Sequence, residues 1–296
     1  MPKNEFDIMD RTKKYHAFID CEFIDDYLKC LEVVIDGETE DSILVMSNIC
    51  HPCQVNDSLT GMSNALMLIE HYSRNKPYYT LRFGFWPETI GAMAYFSKCQ
   101  FRHKIKYALF TEMLGTDGKL KLINSMQENT KIDRVAEYVI KEKLGHVKKE
   151  VFGSEPRNDE RVSNGINLNI PTISLSRFPY VQYHTSFDNL SIINMKKIEE
   201  VSEITRNIID ILNEDRILSP EKNVIGQPFL TRYGIYKDFI EGKNNPNKIM
   251  ENLFMFSDGN RSIFDIVEKF SYDWIMINEF ADELIGAGLF KARKTA

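Results

Sequence analysis

Between about residue 40 and residue 215 the chain alternates two hydrophobic rhythms. Continuous apolar runs at 42–49, 80–86, 106–111 and 172–175 have the length of buried strands. Between them the apolar positions fall three and four apart, which is the helical period. Leu59, Met62, Ala65, Leu66 and Ile69 form such a stripe within 58–73, and a second helix is expected at 90–99. Ile132, Val135, Ala136, Val139, Ile140 and Leu144 form another, and Ile198, Val201, Ile204, Ile208 and Ile211 a fourth within 195–212. Strands alternating with helices over this length predict an α/β sandwich with a mostly parallel central sheet.

The flanks read differently. Residues 15–19 and 28–35 look like strands, and Asp36-Gly37 is a turn signal before the run at 43–48, so the opening predicts a hairpin leading into the sheet. Residues 219–223 are a polar linker. Beyond it come helices at 249–255, 262–270 (with Ser262 as cap) and 273–287, a turn at 257–260 and a short extension at 288–291, an order that suggests a winged helix-turn-helix. The expected division is a β segment at 1–40, an α/β domain at 41–218 and the winged helix at 222–296.

Composition narrows the classes. Hydrophobic residues make up 43% and charged ones 27%, which places the chain among globular proteins. No apolar run approaches the ~20 residues that span a bilayer, and residues 1–14 are too polar for a signal peptide. The net charge of -6 argues against nucleic acid or an anionic membrane as partner. Acidic and basic residues nearly balance after Asn223, so the tail lacks the basic stripe of a DNA-binding domain and is expected to pack on the α/β domain or a partner subunit, with homo-oligomerisation through it left open. Five cysteines with no export signal point to a reduced cytoplasm.

Candidate chemistry gathers where strands end, the edge at which open α/β sheets bind ligands. His51 and Asp57 lie six apart after the first run, a spacing on one loop that can serve a cation such as zinc, although Asn56-Asp57-Ser58 taken alone reads first as a turn and helix cap. Cys50 and Cys53 spell a C-x-x-C, half a zinc site or a redox pair, but Cys50 ends an apolar strand and reads first as a small core residue. Glu88 follows the next run, where the helix dipole alone would favour a carboxylate. Glu112 ends a strand with only Thr111 as a polar neighbour before it, a depth that calls for a cation or hydrogen bonds. His184 follows the strand at 172–175, and Asp188 is placed to accept from its second ring nitrogen. The polar stretch Asn158-Asp159-Glu160-Arg161 reads as a solvated face when taken alone.

The words NICHPCQVNDSLTG, FWPETIGAMAYF, TEMLGTDG, NDERVSNGINLNIPTISL and YHTSFDNL, together with the tail, carry a resemblance. The chain resembles the zinc-dependent aminopeptidases of the co-catalytic type, in a bacterial branch that carries a C-terminal winged helix. The resemblance covers roughly 40–200 and the tail from about Asn223 to Lys291. It implies a three-layer α/β/α sandwich and one or two zinc ions. It makes His51, Asp57, Glu112 and His184 metal ligands, with Asp57 bridging two ions, and Glu88 the general base. Asp159, Glu160, Arg161 and Tyr183 fall to the substrate side. That branch usually inserts a further domain before the first metal histidine, and most of it is missing from 1–40.

Two positions depart from the pattern. Thr89 stands where the larger family has a second, zinc-binding Glu, and Pro52-Cys53 follow His51 where the family has an Asp that orients it. One zinc site from His51, Asp57 and Glu112 is therefore expected intact, and a second keeps Asp57 and His184 without its carboxylate unless Glu88 swings to serve it. The resulting expectation is a zinc-dependent hydrolase acting on an amide bond of a peptide or aminoacyl substrate. The alternatives are a catalytically weak metal-binding protein that recognises an aminoacyl or sugar-linked ligand, and a transcription regulator using the winged helix.

Overall fold

The computed structural model describes residues 3–51, 54–235 and 245–295. The chain divides into two compact units, Met1–Ile209 and Asp210–Ala296. The first is built on a seven-stranded sheet of β1 (Leu31–Ile35), β2 (Thr39–Asn48), β3 (Tyr79–Trp86), β4 (Ile105–Thr111), β5 (Lys121–Ile123), β6 (Lys148–Glu150) and β7 (Thr172–Ser176), in the order β1-β3-β2-β4-β7-β5-β6. Its helices are α1 (Lys3–Asp7), α2 (Thr60–Tyr72), α3 (Ile90–Lys98), α4 (Lys131–Leu144), α5 (Glu160–Ser163) and α6 (Met195–Glu214), the last running on into the second unit.

The four strands β3, β2, β4 and β7 are mutually parallel, as the apolar runs predict. Strand β2 pairs on both sides, and Ile43 to Met46 have no exposed surface. Successive side chains point to opposite faces. Leu44, Met46, Ala108 and Phe110 therefore share a core with Ala92 and Phe96 of α3, and Ser47, of opposite parity, faces α2. Parallel strands end on one side, so the segments after Asn48, Trp86, Thr111 and Ser176 emerge at a common edge.

Several expectations are corrected. The opening is not a hairpin: β1 runs antiparallel to β3, which lies between it and β2. Residues 15–19 form no strand, and Phe18 and Ile19 are about 80% exposed. Strand propensity without a partner strand leaves backbone and side chains to solvent. On α2 the buried stripe is Gly61, Asn64, Ala65, Leu68 and Tyr72, while Leu66, and Leu59 just before the helix, face outward. The helix sits too close to the sheet for large side chains: a Cβ on Gly61 would lie 2.0 Å from the Thr111 carbonyl oxygen and 2.5 Å from Ser47 Oγ. Asn64 instead meets α6, its Oδ1 accepting from Thr205 Oγ1 at 3.0 Å.

In the second unit, α7 (Pro246–Phe256), α8 (Ile263–Phe270) and α9 (Trp274–Gly286) pack over a ribbon of antiparallel strands β8 (Arg216–Pro220) and β9 (Phe290–Lys294), giving the winged helix. Ser219 and Pro220, read as linker, are the last residues of β8. Ser262 caps α8 as expected, accepting from Asp265 N, while Asp265 accepts from Ser262 N. Ile249, Leu253, Phe264, Val267, Ile277 and Leu284 fill its core. No helix among the described residues is long and apolar enough to cross a membrane.

Candidate metal centre

The loop after β2 delivers His51 and Asp57 to the common edge. A buried carboxylate fixes its path. Asp188 accepts from the backbone N–H groups of Val55 (3.1 Å), Asn56 (2.7 Å) and Asp57 (3.2 Å) and from the Tyr180 hydroxyl (2.6 Å). The sequence places Asp188 on the His184 ring; the structure spends both of its oxygens on the Asp57 loop, because three consecutive N–H groups there need an acceptor-only partner. Asn56 reaches on to Gly115 N (2.8 Å), tying the loop after β2 to the loop after β4.

Asp57 is nearly buried, and its Oδ2 lies 3.2 Å from His184 Nε2. His184 adopts a left-handed backbone (φ 54°), a conformation His tolerates better than most residues, and Tyr183 stacks on its ring at 3.8 Å. The His51 ring lies 5.7 Å from that of His184. Candidate ligand atoms of His51, Asp57 and His184 all lie within 4.8 Å of one another. Bonds of about 2.0–2.1 Å to a tetrahedral ion put two ligand atoms roughly 3.3 Å apart, so the Asp57–His184 spacing fits one edge of such a site.

Glu88, on the turn after β3, is a third exposed and points its Oε2 to within 3.8 Å of His51 Nε2. Its backbone N–H donates to Cys50 Sγ (3.1 Å), and the same sulfur lies 3.3 Å from His51 Nδ1. Cys50, His51 and Glu88 form a second compact group of candidate ligand atoms. Cys50 thus lines the site and is not a core residue; its position one residue before His51 was the available signal. Pro52 and Cys53 lie outside the described residues, and with them the C-x-x-C reading.

Glu112 is buried, close enough to Asp57 to feel its charge, and the Asn158 side-chain amide donates to its Oε1. The structure therefore groups both histidines with Asp57, where the sequence split them between two sites with Glu112 in one. Glu112 is absent from both compact sets found among the described residues.

Thr89 (φ 59°) gives its backbone N–H to Asp159 Oδ1 at 2.7 Å, and Asp159 Oδ2 accepts from Trp86 Nε1 at 2.7 Å. Both Asp159 oxygens are thus used to brace the turn that carries Glu88, which replaces the expected contact with substrate. Asp159 has no exposed surface, so a ligand would have to displace both donors. Glu160 Oε1 accepts from Asn158 N, and its buried Oε2 has no partner among the described residues. Arg161 is exposed and reaches Thr89 Oγ1 at 3.4 Å.

The electrostatics are those of crowded, buried carboxylates. Burial pushes Asp57 above the ordinary carboxylate range, against the pull of His51 and His184. Burial, then the charge of Asp57, pushes Glu112 well up. Burial raises Asp159 to about 6 and Glu160 to about 7. Arg161 is the only base that offsets Asp159 and Glu160 among their leading influences, and it sits at the surface. A bound cation is the group that this donor set, hard oxygens and two imidazoles, is suited to hold.

An α/β unit with acidic and imidazole groups gathered at the carboxyl edge, followed by a winged helix, is an aminopeptidase-like architecture. The chain belongs to a family described as a domain of unknown function (DUF4910), whose profile matches residues 15–215; a winged helix-turn-helix profile matches 219–292. It is 29% identical over 307 residues to a Clostridium acetobutylicum protein named as a candidate polysaccharide biosynthesis protein with an aminopeptidase-like domain, covering 98% of this chain and 68% of the relative. A solved structure from the same species, described as a candidate peptidase, overlays with a TM-score of 0.79 and 27% identity over 89% of this chain and 60% of that one. A zinc aminopeptidase from Bacillus subtilis overlays with a TM-score of 0.52 at 13% identity, over 61% of this chain and 49% of that one, which shows the shared fold. The chain thus spans about three fifths of the solved Clostridium chain.

Proposed function

We propose that this chain is a zinc-dependent hydrolase of the aminopeptidase type, acting on an amide bond of a peptide or aminoacyl substrate. The observation that carries the reading is the convergence of His51, Asp57 and His184 with Glu88 beside them. These residues would hold one zinc ion, with Glu112 supporting Asp57 and available to a second. A zinc ion there supplies a Lewis acid for the carbonyl and a water of lowered pKa. Glu88, the most exposed carboxylate of the group, accepts the water's proton and passes it to the leaving amine. Tyr183 stacks on His184 and the exposed Arg161 reaches the Thr89 hydroxyl beside Glu88, from where its guanidinium would offer a bidentate donor to an acidic group on the substrate. The test is elemental analysis of the chain purified without chelator, followed by turnover of aminoacyl anilides. At least one zinc per chain with turnover supports the reading; no transition metal bound on titration overturns it.

A second reading is a metal-binding protein with weak catalysis that recognises an aminoacyl or sugar-linked ligand. Thr89 favours it, because its backbone is committed to Asp159 and its side chain offers a poor zinc ligand. The polysaccharide-related name of the Clostridium relative points the same way. Zinc bound at full occupancy without turnover of any aminoacyl or peptide substrate would select this reading.

A further inference from the structure

We propose that Cys50 is the positioning residue of the centre: its sulfur fixes the His51 ring so that Nε2 faces the metal group, and anchors the backbone of Glu88. This rests on the metal reading above. The sulfur lies 3.3 Å from His51 Nδ1 and accepts the Glu88 backbone N–H at 3.1 Å. Nε2, on the other side of the ring, is the nitrogen that approaches the Glu88 carboxylate, at 3.8 Å. A neutral imidazole carries one N–H and one lone pair. With Nδ1–H donating to sulfur, the lone pair lies on Nε2, where a ligand is needed. Metal-bound histidines are held in this way by a partner on the far nitrogen, commonly a carboxylate or carbonyl. Pro52-Cys53 offer His51 no such carboxylate.

The topology makes the double contact available. Strands β2 and β3 are neighbours, with Asn48 opposite Trp86, so the residues two beyond each strand end, Cys50 and Glu88, leave the sheet side by side. The order Cys50-His51 brings the sulfur against Nδ1 of the next residue. One atom thereby couples the orientation of a candidate ligand to the place of the candidate base.

The test uses the full chain with 15N-labelled histidine, held metal-free with chelator at about pH 8, where His51→Gln assigns the signal. The expected spectrum shows Nδ1 protonated and Nε2 unprotonated. Zinc affinity is then measured by competition with a chromophoric chelator. Cys50→Ala should lose about 10–100-fold, and Cys50→Asp, which restores an acceptor, should stay within a few-fold of wild type. A dominant Nε2–H tautomer, or wild-type zinc affinity in Cys50→Ala, overturns the proposal. So does an intense near-ultraviolet sulfur-to-cobalt band in the Co(II)-loaded chain that disappears in Cys50→Ala, because the sulfur would then be a ligand. If the wild type binds no metal, the hydrolase reading fails, while the tautomer of the metal-free chain, which needs no Cys50 variant to fold, still decides the role of Cys50.

Discussion

Glu88 and Glu160 are both carboxylates near the centre, yet their surroundings assign them different behaviour. Glu88 is partly open to solvent and next to His51, so Glu88→Gln should keep the shape and the metal while removing the proton acceptor. Hydrolysis should fall by about 10²–10⁴-fold, with zinc content near that of wild type; a variant as fast as wild type on aminoacyl anilides removes Glu88 from the chemistry. Glu160 is buried, and burial lifts it to about 7. A carboxyl raised in the folded state contributes no penalty below its unfolded value. It destabilises progressively as pH rises through the folded one. In the metal-free chain, Glu160→Gln keeps the oxygen that Asn158 N needs, so it should match wild type near pH 4 and become more stable relative to it up to about pH 8. The gap at the upper end is on the order of 3 kcal/mol. Urea midpoints of the two proteins at both pH values measure it; parallel curves would show that Glu160 does not titrate in this window. At this scale the sequence identified His51, Asp57, Glu88, Glu112 and His184 as the polar residues of one edge, because each follows an apolar run. It noticed Cys50 only as half of a C-x-x-C and favoured a core role, since a cysteine at the end of an apolar strand looks like core until the neighbouring strand's turn is placed beside it.

The elements are held at that edge by close approach of backbone to backbone. The first turn of α2 follows the Asp57 loop and leans on the end of β4 at Gly61. A methyl group there meets a carbonyl oxygen that cannot move without disturbing the strand, so Gly61→Ala should cost about 1–3 kcal/mol, despite the better helix propensity of Ala. Chemical denaturation reads this directly, and a stabilised variant would show that α2 can lift. The same contact explains why the α2 stripe was misread from periodicity: a helix seated by Gly61 and Asn64 turns its small and polar residues inward. Helices α4 and α6 are legible because aliphatic residues dominate their buried faces, Ile132, Val135, Val139 and Ile140 on α4 and Ile198, Val201, Ile204 and Ile208 on α6. Strands β5 and β6 were not, being three residues long and partly lysine, too short for alternation to register. Residues 15–19 were overread for the opposite reason: their composition suits a strand, and pairing, which no local pattern encodes, is absent.

At the scale of the whole chain, the two units have separate cores and different charge chemistry. The near balance of acidic and basic residues after Asn223 removes the phosphate term that supplies most non-specific DNA affinity. The full chain should therefore give no salt-sensitive shift of duplex DNA at physiological ionic strength, and a tight shift would revive the regulator alternative. The two tryptophans allow a sharper test of where the metal acts. Trp86 is buried in the first unit and bonded to Asp159 beside the centre; Trp274 opens α9 in the second. Single-tryptophan chains, Trp86→Phe and Trp274→Phe, report each unit's unfolding by fluorescence. A ligand that binds only the folded site stabilises by RT ln(1 + [L]/Kd), about 2.7 kcal/mol at a hundredfold excess over Kd. Every candidate ligand lies in the first unit, so zinc should raise the transition seen by Trp86 by this amount. The transition seen by Trp274 should stay where it is, since each unit has its own core to melt. A zinc shift confined to Trp274 would move the metal out of the aminopeptidase-like unit altogether, and equal shifts at both would show that the two units unfold as one.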